Sequence, residues 1–567
     1  MEEWTMKAIL RAAGAVPALL ALVSLLSCSK GVEMEFKDFV ASHVAALEPV
    51  EKEANLAYWR AANSGAEEDY KRYAEAQLRL EKLYTDAEDF AFVKRAKESG
   101  KLADPLLRRT ADILYLRYLG NQTDSLLLER ILDLASAAEN KFTVFKPVVG
   151  ADTINTNEVY RILGEERVSA KRRATWEASK SVGPLVRDDL IALVKLRNES
   201  ARSAGFEDYY TMSLTIGEQS EEELVRVFAE LDEMTREPFL AEKAALDRDL
   251  AKAYGVKVED LRPWHYHDPY FQELPQVGEL NLDALYARAD AVEIAKTFYA
   301  GIGMPVDDII ARSDLYERPG KNPHAFCTDI DRAGDIRILA NMKNNGYWME
   351  TILHELGHAT YDKYIDRDLP FLLRSYPASC LTEAAAEFFG RLSQDPAWMK
   401  AALGIGDEEL ARIAPAIERS LRLKQLIFAR WSQVMFHFER QLYRDPDQNL
   451  NALWWDLVER YQFVKRPEGR DMPDWATKIH MVMSPVYYHN YMLGELVASQ
   501  VHHYVHAGLL KDQTVAGVYG SAAVGEWFRE IYFKPGNVAP WNEHVAYATG
   551  EPLTARYFGE QFARGGN

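Results

Sequence analysis

His354 and His358 stand four residues apart in the run Thr351-Ile-Leu-His-Glu-Leu-Gly-His-Ala-Thr360. On an α-helix that spacing puts both imidazoles on one face, one turn apart, where they can converge on a single zinc ion. Glu355, beside the first histidine, can then take a proton from a water at the metal without being a ligand, which is the general-base role of an H-E-x-x-H motif. The same letters would also suit a surface helix with two solvated histidines. Ile352, Leu353 and Leu356 favour the buried alternative, because they leave the helix largely apolar around the polar triplet.

A catalytic zinc takes three protein ligands and keeps one position open, so the motif needs another donor. Pro370 and Pro377 break the chain downstream, and a new helix is expected to begin near Ser379. Glu383 and Glu387 follow in its first turns, one turn apart on one face. Taken alone they are equally two exposed glutamates on an Ala-rich helix.

The succession of His-Glu-x-x-His, Asp368-Leu-Pro-Phe-Leu-Leu-Arg374 and Glu383-Ala resembles the angiotensin-converting enzyme family of gluzincin-type zinc metallopeptidases. The interval from His358 to Asp368 is one residue longer than in that family. The resemblance implies one zinc ion per chain on His354, His358 and Glu383, with Glu387 as the carboxylate that fixes a histidine tautomer. Further likeness lies in Leu196-Arg-Asn-Glu-Ser-Ala-Arg-Ser-Ala-Gly205-Phe-Glu-Asp208, a helix-and-turn signature with Gly205 where φ > 0 is allowed. The tail Pro540-Trp-Asn-Glu-His-Val-Ala-Tyr-Ala-Thr-Gly-Glu-Pro552 adds to it.

The elements that must position these residues are mostly helical. Amphipathic patterns rich in Ala, Leu, Glu, Lys and Arg run from Glu35 to about Leu250. Around Gly320-Lys-Asn-Pro-His-Ala-Phe-Cys327 the composition changes, and Asp335-Ile-Arg-Ile-Leu-Ala340 alternates like a strand, with Ile336, Ile338 and Ala340 on one side. This predicts a small antiparallel β-unit beside the zinc site. The Gly-Lys-x-Pro-x-Ala-Phe-Cys run resembles the thimet oligopeptidase and oligoendopeptidase F family, and His324-Ala325 parallels a pair in angiotensin-converting enzyme. The resemblance implies that this edge receives the substrate backbone by β-augmentation. His265-Tyr-His-Asp-Pro-Tyr-Phe-Gln272 reads as an aromatic loop whose two histidines, at i and i+2, point to opposite sides of an extended segment. It suits a cleft wall or a packed loop better than a second metal site.

Lys478-Ile-His480-Met-Val-Met-Ser-Pro485-Val-Tyr-Tyr488-His-Asn-Tyr491 gathers donors for an oxygen that becomes anionic in a tetrahedral intermediate. A packed aromatic helix would read similarly. The spacing of His480, Pro485, Tyr487 and Tyr491 resembles oligoendopeptidase F, and Lys478, His480 and Tyr487 match positions in angiotensin-converting enzyme. The resemblance implies His480 and Tyr491 as the oxyanion donors, with Tyr488 the second choice for the tyrosine. Angiotensin-converting enzyme releases C-terminal dipeptides by holding the free carboxylate with Lys, Tyr and Gln. Lys478 and Tyr487 stand at the first two positions, but Leu282 to Ala295 holds no Gln, so the clamp reads as incomplete.

With 48% hydrophobic and 27% charged residues among 567, the chain has the profile of a globular protein with a large core. No linker or repeat interrupts it, which predicts one body over 29–567, its N-terminal helical lobe 29–300 and its zinc-binding part 301–567. A formal charge of −19 excludes nucleic acid as a partner. Cys28, Cys327 and Cys380 are too few for a disulfide framework, leaving at most a Cys327–Cys380 bridge. Residues 1–28 read as a targeting segment: Lys7 and Arg11, an apolar run from Ala12 to Leu26, then Leu25-Leu-Ser-Cys28. This resembles a bacterial lipobox, which implies lipidation of Cys28 and an exported, lipid-anchored protein of the cell envelope. A plain secretory signal with an incidental cysteine would also export it.

The expectation is therefore a mainly α, two-lobed helical metallopeptidase with a deep central cleft, hydrolysing short peptides by internal cutting. Dipeptide release is the alternative, and a peptide-binding lipoprotein that does not cut is the rival from another class.

Overall fold

The computed structural model describes residues 3–275, 282–511 and 517–563, with side chains from residue 31 to residue 562 of those segments. Cys28 and the rest of the expected targeting segment, residues 1–28, lie outside the described side chains. The fold is mainly helical, with two small antiparallel two-stranded sheets, Val148–Val149 with Asp152–Thr153 and Phe326–Asp329 with Ile336–Leu339. Among the described residues no helix is long and apolar enough to cross a membrane.

Apolar side chains fall into two clusters of unequal size. The smaller joins Phe36, Leu47, Val93, Leu114, Tyr118 and their neighbours from the first four helices, Glu3–Ser64, Glu67–Lys82, Ala87–Glu98 and Pro105–Gly120. Phe371 and Leu372 enter it from the segment that follows the histidine motif. The larger cluster runs from Ala138 to Phe562 and encloses the motif itself. The Leu-Pro-Phe-Leu-Leu stretch thus serves packing: its apolar residues tie the first helices to the metal-binding region.

The motif helix, Gly346–Tyr364, starts where the Asn345 side chain accepts from the Trp348 N–H, satisfying one of the free donors at a helix N-terminus. Ile352, Leu353, Leu356, Ala359 and Tyr361 are fully buried. Such a helix belongs inside a core. The segment with Pro370 and Pro377 ends at Ser379, where the carboxylate helix, Ser379–Arg391, begins as the sequence predicts. These two helices cross closely because the contact holds almost no side chain. A Cβ on Gly357 would stand 2.7 Å from the Cα of Ala386, and Ala384, Ala385 and Ala386 are all buried. A third helix, His489–His503, closes on the same spot, where a Cβ on Gly494 would lie 3.0 Å from the Glu383 Cβ.

The predicted β-unit is present. Phe326 pairs with Leu339, Cys327 with Ile338, Thr328 with Arg337 and Asp329 with Ile336. Ile336, Ile338 and Ala340 are buried as the alternation requires, and Leu339 is buried too. Tyr58 and Trp59 of the first helix pack on Phe326, the first tilted and the second edge-on, with ring centroids 5.0 Å and 6.2 Å away. Cys327 and Cys380 are free thiols, so the bridge left open by the sequence is not formed.

Candidate zinc centre and adjoining cavity

His354 and His358 emerge from one face of the motif helix, and their Nε2 atoms lie 3.2 Å apart. Two nitrogens bound to one tetrahedral zinc at about 2.0–2.1 Å are about 3.3 Å from each other, so the pair already has the spacing of ligands. Glu383 Oε2 completes the triangle at 3.8 Å from His354 Nε2 and 3.9 Å from His358 Nε2. Among the described residues these three form the only group of at least three such side chains whose donor atoms lie within 4.8 Å of one another. Two imidazoles and a carboxylate are a borderline-soft set that suits zinc, and three protein ligands leave a coordination position open.

The outer contacts orient the rings. His354 Nδ1 faces Glu387 Oε1 at 3.8 Å, and Arg391 Nε lies 3.9 Å from the other oxygen of Glu387. His358 Nδ1 meets the Thr382 hydroxyl at 2.7 Å. Thr382 was not singled out by sequence reasoning, although its place next to Glu383, facing the motif helix, is what delivers it. Burial opposes charge on His354, yet Glu387, Glu355, Glu383 and Glu350 outweigh it and raise its pKa. His358 is pushed well below its ordinary value by burial and by His354, and neutral imidazole is the form a metal needs.

Glu355 is buried, and its Oε2 has no hydrogen-bond partner. Burial pushes its pKa up to about 7, with Glu383 adding to the rise while His354 and the Cys327 backbone N–H pull against it. A buried carboxylate oxygen lacking a partner needs one, and a reacting water would supply it. Raised to that range, the group suits proton transfer near neutral pH.

A cavity of about 860 Å³ opens from Glu383 and Glu387 and reaches Gln272, Lys478, His480, Tyr488 and Tyr491. Lys478 Nζ donates to Gln272 Oε1 at 2.6 Å and lies 4.8 Å from the Tyr270 ring, 5.2 Å from Trp431 and 5.3 Å from Tyr488. Burial lowers its pKa to about 8, against the pull of Asp268 and Glu273. Tyr488 accepts from Trp431 Nε1 at 2.7 Å, so its ring is fixed beside the lysine. Tyr487 turns the other way and bonds Ser379. Tyr491, 37% exposed, packs edge-on against Tyr487 and Tyr488, with ring centroids 5.4 Å and 5.3 Å away. His480 stays neutral, its pKa lowered to about 4 by burial and by Lys478, and its Nδ1 is buried without a partner. His324 is exposed and Ala325 half-buried where the chain enters strand Phe326–Asp329.

The glutamine beside Lys478 is Gln272, which lies outside Leu282 to Ala295. It arrives instead from the aromatic loop. That loop is not extended: His267 has φ 70°, and both His265 and His267 pack on Tyr254, at 5.3 Å and 6.3 Å. Asp268 closes the turn by accepting from the N–H groups of Tyr270, Gln272 and Glu273 at 2.7–3.3 Å. The helix-and-turn signature braces the other side, since Arg197 donates to Met481 O and Val482 O at 3.1 Å and 2.8 Å, and Gly205 has φ 90° as expected.

An H-E-x-x-H helix, a distant glutamate and a buried carboxylate with one oxygen free define the site of a zinc metallopeptidase. The family model for angiotensin-converting enzyme, peptidase M2, matches residues 31–260 and 278–559, and the chain belongs to that family. Bovine (Bos taurus) angiotensin-converting enzyme is 23% identical over 563 residues, covering 89% of this chain and 41% of its own length, so the chain spans about two fifths of that relative.

Proposed function

We propose that the protein is a peptidyl-dipeptidase, cutting dipeptides from the free C-terminus of short peptides. The observation that carries this reading is the buried Lys478 ammonium, held by Gln272 within an aromatic surround in the cavity that also opens on Glu383. Among the described residues no carboxylate lies within ion-pair distance of this ammonium, although Asp268 and Glu273 act on it from further away, and a peptide carboxylate would supply one through a charge-assisted hydrogen bond. Internal cutting of peptides, without a requirement for a free C-terminus, is the second reading; it leaves this buried cation without a purpose. A binding protein that does not cut is disfavoured by the intact Glu355.

In the reaction, His354, His358 and Glu383 hold the zinc, which when bound polarises the scissile carbonyl and acidifies water. Glu355 takes the proton of the attacking water and returns it to the leaving amine. Tyr491, whose pKa is raised by burial, keeps its hydroxyl proton and donates with His480 to the developing oxyanion. Lys478, Gln272 and Tyr488 fix the C-terminus, and the strand edge at His324-Ala325 steadies the backbone.

The test compares one short peptide with its C-terminal amide and maps products by mass. Release of a C-terminal dipeptide from the free acid, with the amide cut measurably but about tenfold to a hundredfold more slowly, is expected; equal cleavage of both forms at interior bonds would favour the second reading. Export and lipidation of Cys28 belong to the same proposal on the strength of the Leu25-Leu-Ser-Cys28 run, and Cys28→Ser should abolish fatty-acid labelling of the protein.

A further inference from the structure

A second cavity, about 470 Å³, takes no part in the chemistry above. Its walls include Cys327, Thr328 and Asp329 of the strand, Asp362 of the motif helix, and Tyr376 and Ser379. It adjoins the reaction centre: Cys327 reaches Glu355, Ser379 bonds Tyr487, and Tyr376 lies in the field of Glu383. Strand and helix run alongside one another here, with Cys327 beside Glu355 and, two residues on, Asp329 beside Asp362. Asp362 follows Glu355 by seven residues, about 10 Å along a helix. That is the length of about three residues of extended peptide. The strand pairs on one edge with Ile336–Leu339, and its other edge has no strand partner among the described residues.

Asp362 is the unpaired group in this cavity. Its carboxylate makes no hydrogen bond or ion pair among the described residues, whereas Asp329 has Arg367 Nη1 at 3.5 Å. The arginines of the cavity are otherwise engaged or remote. Arg332 Nε is on Glu51 at 2.7 Å, Arg374 Nε donates to Leu369 O at 2.8 Å, and Arg117 is exposed at the rim over the Tyr84 ring. Burial, and then the charge of Asp329, push the Asp362 pKa up to about 8, while Arg367 and Arg332 pull it down less strongly. Asp362 shares the charge of Arg367 and Arg332 with Asp329, and Arg367 Nη2 is already spent on the Asp362 backbone O at 2.7 Å, so the pair of carboxylates is under-neutralised and an incoming cation relieves that cost.

We propose that this cavity receives the substrate on the N-terminal side of the scissile bond and selects a lysine or arginine side chain two or three residues before it, with Asp362 as the acceptor of its charge. The inference rests on the peptidyl-dipeptidase reading of the metal site and its carboxylate clamp.

The test uses the zinc-loaded enzyme and N-acetylated pentapeptides ending in Phe-Ala-Ala, in which the Phe–Ala bond is the one cut. Either residue before Phe is lysine, its uncharged isostere norleucine, or glutamate, the other being alanine. Lysine should exceed norleucine in kcat/KM by about tenfold or more at one position, the effect of a charge-assisted hydrogen bond. Asp362→Asn should bring that ratio close to one, and Asp362→Glu should keep lysine ahead. A wild-type ratio near one at both positions, a preference for glutamate, or a ratio untouched by Asp362→Asn would each overturn the proposal while Ala-Ala release leaves the parent reading standing. Failure to release Ala-Ala from any peptide would overturn that reading, and this inference with it.

Discussion

The two ends of the 860 Å³ cavity are built in different ways. At the metal end, three side chains come from two helices joined by a short segment, and the crossing is fixed by backbone-to-backbone contact at Gly357 and Ala386. At the clamp end, Lys478 and Gln272 lie 206 positions apart and are brought together by a turn closed on Asp268, by the Arg197 brace, and by Glu439, which accepts from the Val486 N–H at 2.7 Å. Chemistry that depends on helical repeat can be carried by a dozen residues. The recognition of a chain terminus proposed for this end depends on the whole fold.

The largest effect should come from the metal end. Glu355→Gln keeps the shape and the zinc ligands but removes the base, so turnover should fall by about a hundredfold to ten-thousandfold with zinc content unchanged. Metal analysis beside a peptide assay checks both halves; loss of zinc in that variant would mean that Glu355 is itself a ligand. Glu383→Ala should instead lose zinc at limiting metal. Glu387→Ala should weaken zinc by about tenfold to a hundredfold, as loss of an orienting partner does. If Glu387→Ala loses the metal and Glu383→Ala retains it, the two carboxylates must exchange roles.

The contrast in construction also sets what could be read from the sequence. The motif helix, the helix start at Ser379 and the β-pair were legible because 3.6-residue and two-residue periods, proline breaks and a terminating glycine are local signals. Gln272 was not. Its delivery depends on His267 taking φ 70°, a conformation that a residue with a Cβ seldom announces, and on three backbone N–H groups converging on Asp268. Reading the loop as extended sent its two histidines to opposite sides, whereas both pack on Tyr254. Thr382 was missed for a related reason, since nothing in the letters tells which neighbour of Glu383 faces His358.

The close crossing predicts a stability effect of intermediate size. Gly357→Ala puts a methyl group 2.7 Å from backbone that cannot rotate away, so the helices must part. Overpacking of this kind costs about 1–3 kcal/mol. A lowered thermal midpoint together with weakened zinc binding is expected. Unchanged stability would mean that the crossing is looser than the contact implies.

At the clamp end, Lys478→Ala and Gln272→Ala should raise KM for a free-acid peptide, the lysine change by about tenfold to a hundredfold and the glutamine change by less, as expected for bonds to a charged group. The amidated peptide should respond to neither. Equal losses on both forms would transfer these residues from carboxylate recognition to general support of the fold.

The smallest effect is one of pH, and it separates the two ends in a single experiment. Burial lowers the Lys478 pKa to about 8, so the ammonium is present below that pH and is lost as pH rises through it. A free carboxylate needs that charge, and kcat/KM reports groups on the free enzyme while kcat reports the complex. For the free-acid peptide, kcat/KM should therefore fall above pH 8 by up to about tenfold per unit. In the complex, the bound carboxylate draws the lysine pKa back up, so kcat should hold to higher pH. The amide serves as the internal reference because it meets the same metal end without engaging the lysine. A fall shared by acid and amide would assign the titration to the zinc end, and the clamp would lose its charge-dependent role.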